Sequence, residues 1–178
     1  MEQRNGQQQT VLFERARKLL GVDFVPKIFE AAAGAPAASE GLMTMMEKLF
    51  AEGALSPALK QMMMVAISST LKCRYTEALH VAICKNAGVT DEQLGTVCSE
   101  ERPDKMANDW ALVRFAVRVA NTPQWVEPEE MQALAEQGIP AEQIAEALTV
   151  GGFGRMVTAV ADALALDVDP QVSEMLAR

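Results

Sequence analysis

Three observations predict an all-α fold. Hydrophobic residues make up 49% of the 178-residue chain, enough to fill a core. Aromatics are few, at 5%, while Ala, Leu, Val and Met are many; these, valine apart, are strong helix formers. Apolar positions recur at steps of three and four between Ser-Pro, Gly and Pro boundaries, and no alternating β-branched run bounded by turns occurs. The expectation is a single all-helical domain over 1–178, a bundle of about seven to eight helices with no sheet.

The elements follow in order. Residues 1–9 read as a frayed end. TVLFERARKLL (10–20) is a short amphipathic helix stopped by Gly21. Val25-Pro26 interrupts, because a residue before Pro avoids helical geometry. Residues 27–33 form a further turn or two, GAPAAS (34–39) reads as a loop, and 39–51 resume a helical pattern. Ser56-Pro57 starts the next helix, with Ser as N-cap and Pro at the first helical position. That helix, 57–71, is apolar almost all round, so it belongs in a core or a subunit contact. Lys72-Cys73 breaks it, and a new helix runs to Asn86 before Gly88. Thr90-x-x-Gln93 is a capping box for a short helix. Pro103 and Asp104 open a helix to 121, Pro128 opens another that Gly138 stops, and Pro140 starts a long one to about 166, closed by Asp167–Pro170.

One internal echo stands out. Ala87–Leu94 (AGVTDEQL) resembles Gln137–Ile144 (QGIPAEQI). Each reads as helix end, glycine stop, apolar staple and helix start. A tight helix–helix corner selects such residues, and so does an old duplication of a helical hairpin.

Net charge is −8, which argues against nucleic acid, since phosphate binding needs a basic surface. The polar start MEQRNGQQQ and the shortness of apolar runs such as Met62–Ile67, against the ~20 residues a membrane helix takes, predict a cytoplasmic protein with no membrane span. There the three cysteines stay free thiols. With one histidine and no Cys-x-x-Cys pair, a zinc site is not expected, and no cofactor is.

Reactive side chains gather in LKCRYTEALHVAICKNAG (71–88). On a helix, Cys73, Thr76, Glu77, His80 and Cys84 share one face. Cys73 lies at a helix N-terminus between Lys72 and Arg74, a setting that lowers a thiol's pKa, while Glu77 acts the other way. His80 is ~10 Å along the axis from Cys73, too far for a direct bond. Its neighbours at four residues are Thr76 and Cys84, and an imidazole there can take or relay a proton. Cys73 and Cys84 cannot bridge within one helix, since eleven residues span ~16 Å. Cys98 reads as inert. Gly151-Gly152-Phe153-Gly154 lacks the Lys-Ser/Thr of a phosphate loop, so its glycines mark a close helix approach or a kink. Methionines at 43, 45, 46 and 62–64 read as core or interface filler.

Leu55–Lys60 (LSPALK), the apolar helix, Cys73-Arg74-Tyr75-Thr76, His80 and Ala87–Gln93 (AGVTDEQ) resemble the carboxymuconolactone decarboxylase / alkylhydroperoxidase D-like family. Asp109–Ala116 (DWALVRFA), Gly138-Ile139 and Val160–Leu164 (VADAL) extend the likeness to its peroxidase-related branch, so that it covers residues 40–170 and is strongest over 55–94. The resemblance implies an alkylhydroperoxidase D-like helical bundle that assembles as a trimer or hexamer. It also implies a redox site in which a Cys-x-x-Cys pair cycles to a disulfide while a glutamate and a histidine relay protons. Residue by residue, the first cysteine is Cys73 and the histidine is His80. Thr76 stands at the second cysteine and Gln61 at the glutamate. A threonine cannot form a disulfide, and a glutamine cannot carry a proton.

The catalytic candidates are therefore Cys73 and His80, with Thr76, Gln61 and Glu77 as pocket or degenerate positions. One expectation is a peroxiredoxin-type antioxidant oxidoreductase working through a single thiol, with a small peroxide as substrate and an external thiol as reductant. A second is a lactone decarboxylase-like enzyme using His80 without redox chemistry. A third is a non-catalytic binding or assembly module.

Overall fold

The computed structural model describes residues 2–177, with side chains at Gln7 and from Gln9 onward. Among these residues ten α-helices and one 3₁₀ turn occur, and no strand. The helices are α1 (Glu2–Leu20), α2 (Lys27–Ala32), α3 (Pro36–Ala51), α4 (Pro57–Thr70), α5 (Arg74–Asn86), α6 (Asp91–Cys98), α7 (Ala107–Asn121), α8 (Pro128–Glu136), α9 (Ala141–Ala163) and α10 (Pro170–Leu176). The expected seven to eight become ten through the two shortest, α2 and α10. The sequence reading takes Pro170 as a stop, but proline at a first helical position is equally a start, and α10 begins there.

Other boundaries move for local reasons. The expected frayed segment 1–9 is helical from Glu2, and glutamines such as Gln7 and Gln9 suit a helix. Helix α3 starts at Pro36, inside the expected loop, with Pro in its first turn. Helix α7 starts at Ala107, not 104, because Met106 takes a left-handed φ of 60°. Helix α9 ends at Ala163 because Ala165 turns left-handed at φ 48°.

The core is organised around α4. Every residue from Leu59 to Ser68 is buried, as its all-round apolar sequence requires. Met63, Met64 and Ile67 are fully enclosed, and full burial of such side chains contributes about 1.5–3 kcal/mol each. Helices α5, α7 and α9 pack around α4, and α9 also packs along α7. The glycine-rich run stays helical within α9. A Cβ at Gly151 would meet the Ala116 carbonyl oxygen at 2.6 Å, and one at Gly154 would meet Ile67 at 3.0 Å, so these glycines admit neighbouring helices. By length and composition α9 could cross a membrane, but Ile144, Val150, Phe153 and Val157 are buried in the core of this fold.

A buried ion pair fixes the start of α4. The Ser56 hydroxyl caps the helix, accepting the Leu59 N–H at 3.2 Å. Lys60, only 1% exposed, reaches Glu146 of α9 at 2.9 Å and donates to the Glu52 carbonyl at 2.5 Å. Glu146 also accepts backbone N–H groups of Ala54 and Leu55. Burial raises the Glu146 carboxyl, but Lys60 and these amides outweigh it and hold the group below its ordinary pKa. The clamp lies one residue before Gln61.

Candidate functional site

The site begins where α4 hands over to α5. Helix α4 closes with Leu71 N–H on the Ile67 carbonyl, and Cys73 N–H returns to the Ser68 carbonyl at 2.9 Å. Between them Lys72 adopts φ 61°, a conformation that costs a residue bearing Cβ about 1–2 kcal/mol. The tight turn makes Cys73 the N-cap of α5, as its place after the break predicts. Thr76 and His80 follow on the inner face, 1% and 3% exposed.

Cys73 is itself only 1% exposed. Its Sγ lies 3.3 Å from the Thr76 hydroxyl and 3.9 Å from the Thr158 carbonyl of α9. The expectation of a lowered thiol pKa is overturned. Burial pushes the Cys73 thiol up; Thr76, by hydroxyl and N–H, pulls it down; the Asp162 carboxylate pushes it up again. Desolvation outweighs the helix end. Lys72 and Arg74 are exposed.

His80 does not bond either thiol. Its Nδ1 lies 2.5 Å from the Gln61 Oε1 of α4. A carboxamide oxygen only accepts, so Nδ1 carries the proton and Nε2 presents a lone pair. The ring stacks on Phe50 at 6.4 Å, and Phe50 meets Phe153 edge-on. Burial lowers the His80 pKa to about 3, so the imidazole is neutral across the physiological range and its protonated form is disfavoured.

Thr76, His80 and Tyr75 are the polar side chains lining a cavity of about 20 Å³, room for about one water molecule. The rest of its wall is apolar, including Phe29, Met46, Phe153 and Val157. Cys73 stands behind Thr76 and Gln61 behind His80, so the cavity meets each pair through its inner member. The structure thus brings Cys73, Thr76, His80 and Gln61 together and leaves Glu77 outside. Glu77 is half-buried and bears on Cys98, whose thiol is raised by burial first and by Glu77 second. Cys84 is fully buried with its thiol pushed up to about 12 by burial. It acts as core, and the possible Cys84–His80 pair does not form. No group of metal-binding side chains occurs among the described residues.

Three residues near the site escaped the sequence reading. Tyr75 lines the cavity, and its hydroxyl accepts the Ile28 N–H at 3.1 Å. Thr158 and Asp162 belong to α9: the Thr158 carbonyl lies 3.9 Å from the Cys73 sulfur, and the Asp162 carboxylate acts on its thiol. Nothing in their local sequence marks them except their four-residue spacing on one helix.

Comparison with known proteins follows the same lines. Residues 36–122 match the sequence model of the carboxymuconolactone decarboxylase family. No curated protein matches the chain. Among solved structures, an uncharacterized peroxidase-related protein from Silicibacter sp. TM1040 is 23% identical with a TM-score of 0.78, over 90% of this chain and 84% of that one. An alkylhydroperoxidase AhpD-core, peroxidase-related protein from Ralstonia eutropha JMP134 is 20% identical with a TM-score of 0.79, over 92% and 87%. The debrominase Bmp8 is 16% identical with a TM-score of 0.81, over 95% and 90%. A cysteine-to-alanine variant of Bmp8 has been solved with 2,3,4-tribromopyrrole. At these identities the solved structures establish the shared helical fold. The chain belongs to the carboxymuconolactone decarboxylase / alkylhydroperoxidase D-like family.

Proposed function

We propose, from this family membership and the site together, that the protein is a thiol-dependent antioxidant oxidoreductase with one working thiol, Cys73. The observation that carries the reading is the 3.3 Å contact between Cys73 Sγ and the hydroxyl of Thr76, a residue that lines the same small cavity as the neutral base His80. The Cys73 thiolate attacks the terminal oxygen of a small hydroperoxide. The O–O bond breaks, an alcohol leaves with a proton, and the sulfur becomes a sulfenic acid. Thr76 hydrogen-bonds the sulfur, and the neutral His80, through the Nε2 lone pair, relays the thiol proton to the leaving alkoxide rather than holding it as an imidazolium. An external thiol then condenses with the sulfenic acid, expelling water and forming a mixed disulfide. A second equivalent releases Cys73 and leaves as a disulfide. The dehalogenating neighbour widens the class of electrophile worth testing to small halogenated aromatics.

The apolar cavity wall favours a small neutral substrate. It has no lysine or arginine to pair a carboxylate, which counts against a carboxylated lactone. The test is consumption of an alkyl hydroperoxide with dithiothreitol. Turnover should rise with pH through and beyond the ordinary thiol range, because a raised thiol pKa delays thiolate formation. No turnover at any pH, or an unchanged rate in Cys73→Ser, overturns the reading.

A homo-oligomer, trimer or hexamer, is proposed alongside. Leu148, Met156 and Val160 of α9, and Leu164 just after it, are each at least 40% exposed and recur at multiples of four, an apolar surface suited to a subunit contact. A monomeric mass by light scattering at micromolar concentration overturns it.

A further inference from the structure

The reductant is the part of this chemistry that the cavity does not address, and the charge near Cys73 does. Thr76, 3.3 Å from the sulfur, stands between it and the cavity. Helix α9 also packs against the sulfur, with the Thr158 carbonyl 3.9 Å away. Asp162 comes one turn after Thr158, on the same face. It is exposed, whereas Thr158 is 2% exposed. The buried thiol thus has a solvent-exposed carboxylate in its surroundings. That carboxylate is the charged group felt most by the sulfur, acting after burial and the Thr76 contacts. Lys72 and Arg74 flank Cys73 in sequence, but both are exposed on its own loop and helix start. The exposed apolar surface of α9 leaves the Asp162 carboxylate clear: Val160 is two residues from Thr158 and from Asp162, about 200° round the helix in either case.

We infer that Asp162 selects the electron donor by charge, so that the mixed disulfide on Cys73 is formed and resolved by cationic or neutral small thiols in preference to anionic ones. The inference rests on the reading of Cys73 as the working thiol. A donor approaching from the Asp162 side brings its sulfur, and the charge carried beside it, within a few ångströms of an exposed carboxylate. A neighbouring ammonium is attracted and a neighbouring carboxylate repelled. A hydroperoxide carries no charge and is not sorted this way.

The experiment uses disulfide exchange on the reduced full chain. Cystamine (cationic), 2-hydroxyethyl disulfide (neutral) and 3,3′-dithiodipropionate (anionic) are each mixed with protein, and the adduct at Cys73 is followed by peptide mass mapping. In each reaction the probe's S–S bond breaks, a Cys73–S–S–R bond forms and one thiolate leaves. Each rate is divided by that of the same probe with N-acetylcysteine amide, an uncharged thiol. At low salt the cationic probe should lead the anionic one by ~10-fold, and the lead should shrink to ~2-fold near 0.5 M salt as charges are screened. Asp162→Asn should abolish the order and Asp162→Lys should invert it. Asp162 is exposed, so both variants should melt like the parent. No charge order in the parent, or the same order in Asp162→Lys, overturns the inference while leaving Cys73 reactive. No adduct at Cys73 with any probe overturns the working-thiol reading, and this inference with it.

Discussion

The two ends of the site differ in how their chemistry is held. At the start of α5, Cys73 meets a hydroxyl, a main-chain carbonyl and, beyond them, an exposed carboxylate. Two turns on, His80 is locked by one short hydrogen bond to Gln61 and a stacked Phe50. Both side chains are buried, but the thiol end has an exposed carboxylate, Asp162, in its surroundings, whereas the imidazole end has no charged group acting on it. Burial acts on both and with opposite sign on pKa, raising the thiol and lowering the imidazole, because in each case it favours the neutral form. The lesson is that neither group is charged at rest. Any reactivity has to be drawn out by the arriving electrophile rather than stored as a thiolate–imidazolium pair.

The sharpest way to break this comparison is to remove each end in turn. Cys73→Ser should lower hydroperoxide turnover by ~100-fold or more, and His80→Gln by ~10-fold, measured as kcat/KM with dithiothreitol. A larger loss at His80 would move the chemistry to the imidazole end. Acid unfolding comes next. The His80 pKa is lowered in the fold to about 3 from an ordinary 6.5, so between those values the unfolded chain binds a proton that the native chain does not. This group's contribution is therefore present above about pH 6.5 and lost as pH falls towards 3, at about 1.4 kcal/mol per unit. Urea titrations of the parent and of His80→Phe across that window should show the steeper loss in the parent.

Smaller effects sharpen the contrast. With Sγ and Oγ1 only 3.3 Å apart, Thr76→Cys should form a disulfide with Cys73 on oxidation, seen as a mass loss of two hydrogens and loss of both thiols to alkylation. If both thiols stay free after oxidation, the pair is not poised for the two-thiol cycle. Gln61→Glu should be the mildest. A carboxylate against Nδ1 should raise the His80 pKa, by ~1 unit or more, readable by NMR titration. An unmoved value would mean that position 61 does not govern the imidazole.

How much of this was legible in sequence depended on the range of the interaction. The two echoing corners were fully legible. Gly88 and Gly138 take φ 81° and 83°, and Val89 and Ile139 are the buried staples after them. A helix corner of this geometry selects such residues from local chain geometry. Cys73 at the helix start was legible for the same reason, but its pKa was not, since desolvation depends on helices distant in sequence. The alkylhydroperoxidase D-like fold was legible from Leu55–Gln93, and α10 was missed because one proline both stops and starts helices. Gln61 was picked out only through the family likeness, and the structure sets it against His80. Nothing local announces Lys60–Glu146, separated by 86 positions, or the approach of Thr158 to Cys73, separated by 85. Those contacts exist only once α4, α5 and α9 have packed.

Gly151 carries a consequence beyond its own contact. A methyl there would drive into the Ala116 carbonyl at 2.6 Å and the Val119 side chain at 2.8 Å, so any other residue would push α9 off α7. Helix α9 is one unbroken rod from Ala141 to Ala163, and Thr158 lies seven residues, ~10 Å, further along it. A displacement at the glycine is thus carried down the rod to the backbone that borders the sulfur. The distance of closest approach between two helices far from the thiol acts as the calibration of the site, and a single added carbon would detune it without touching a reactive group.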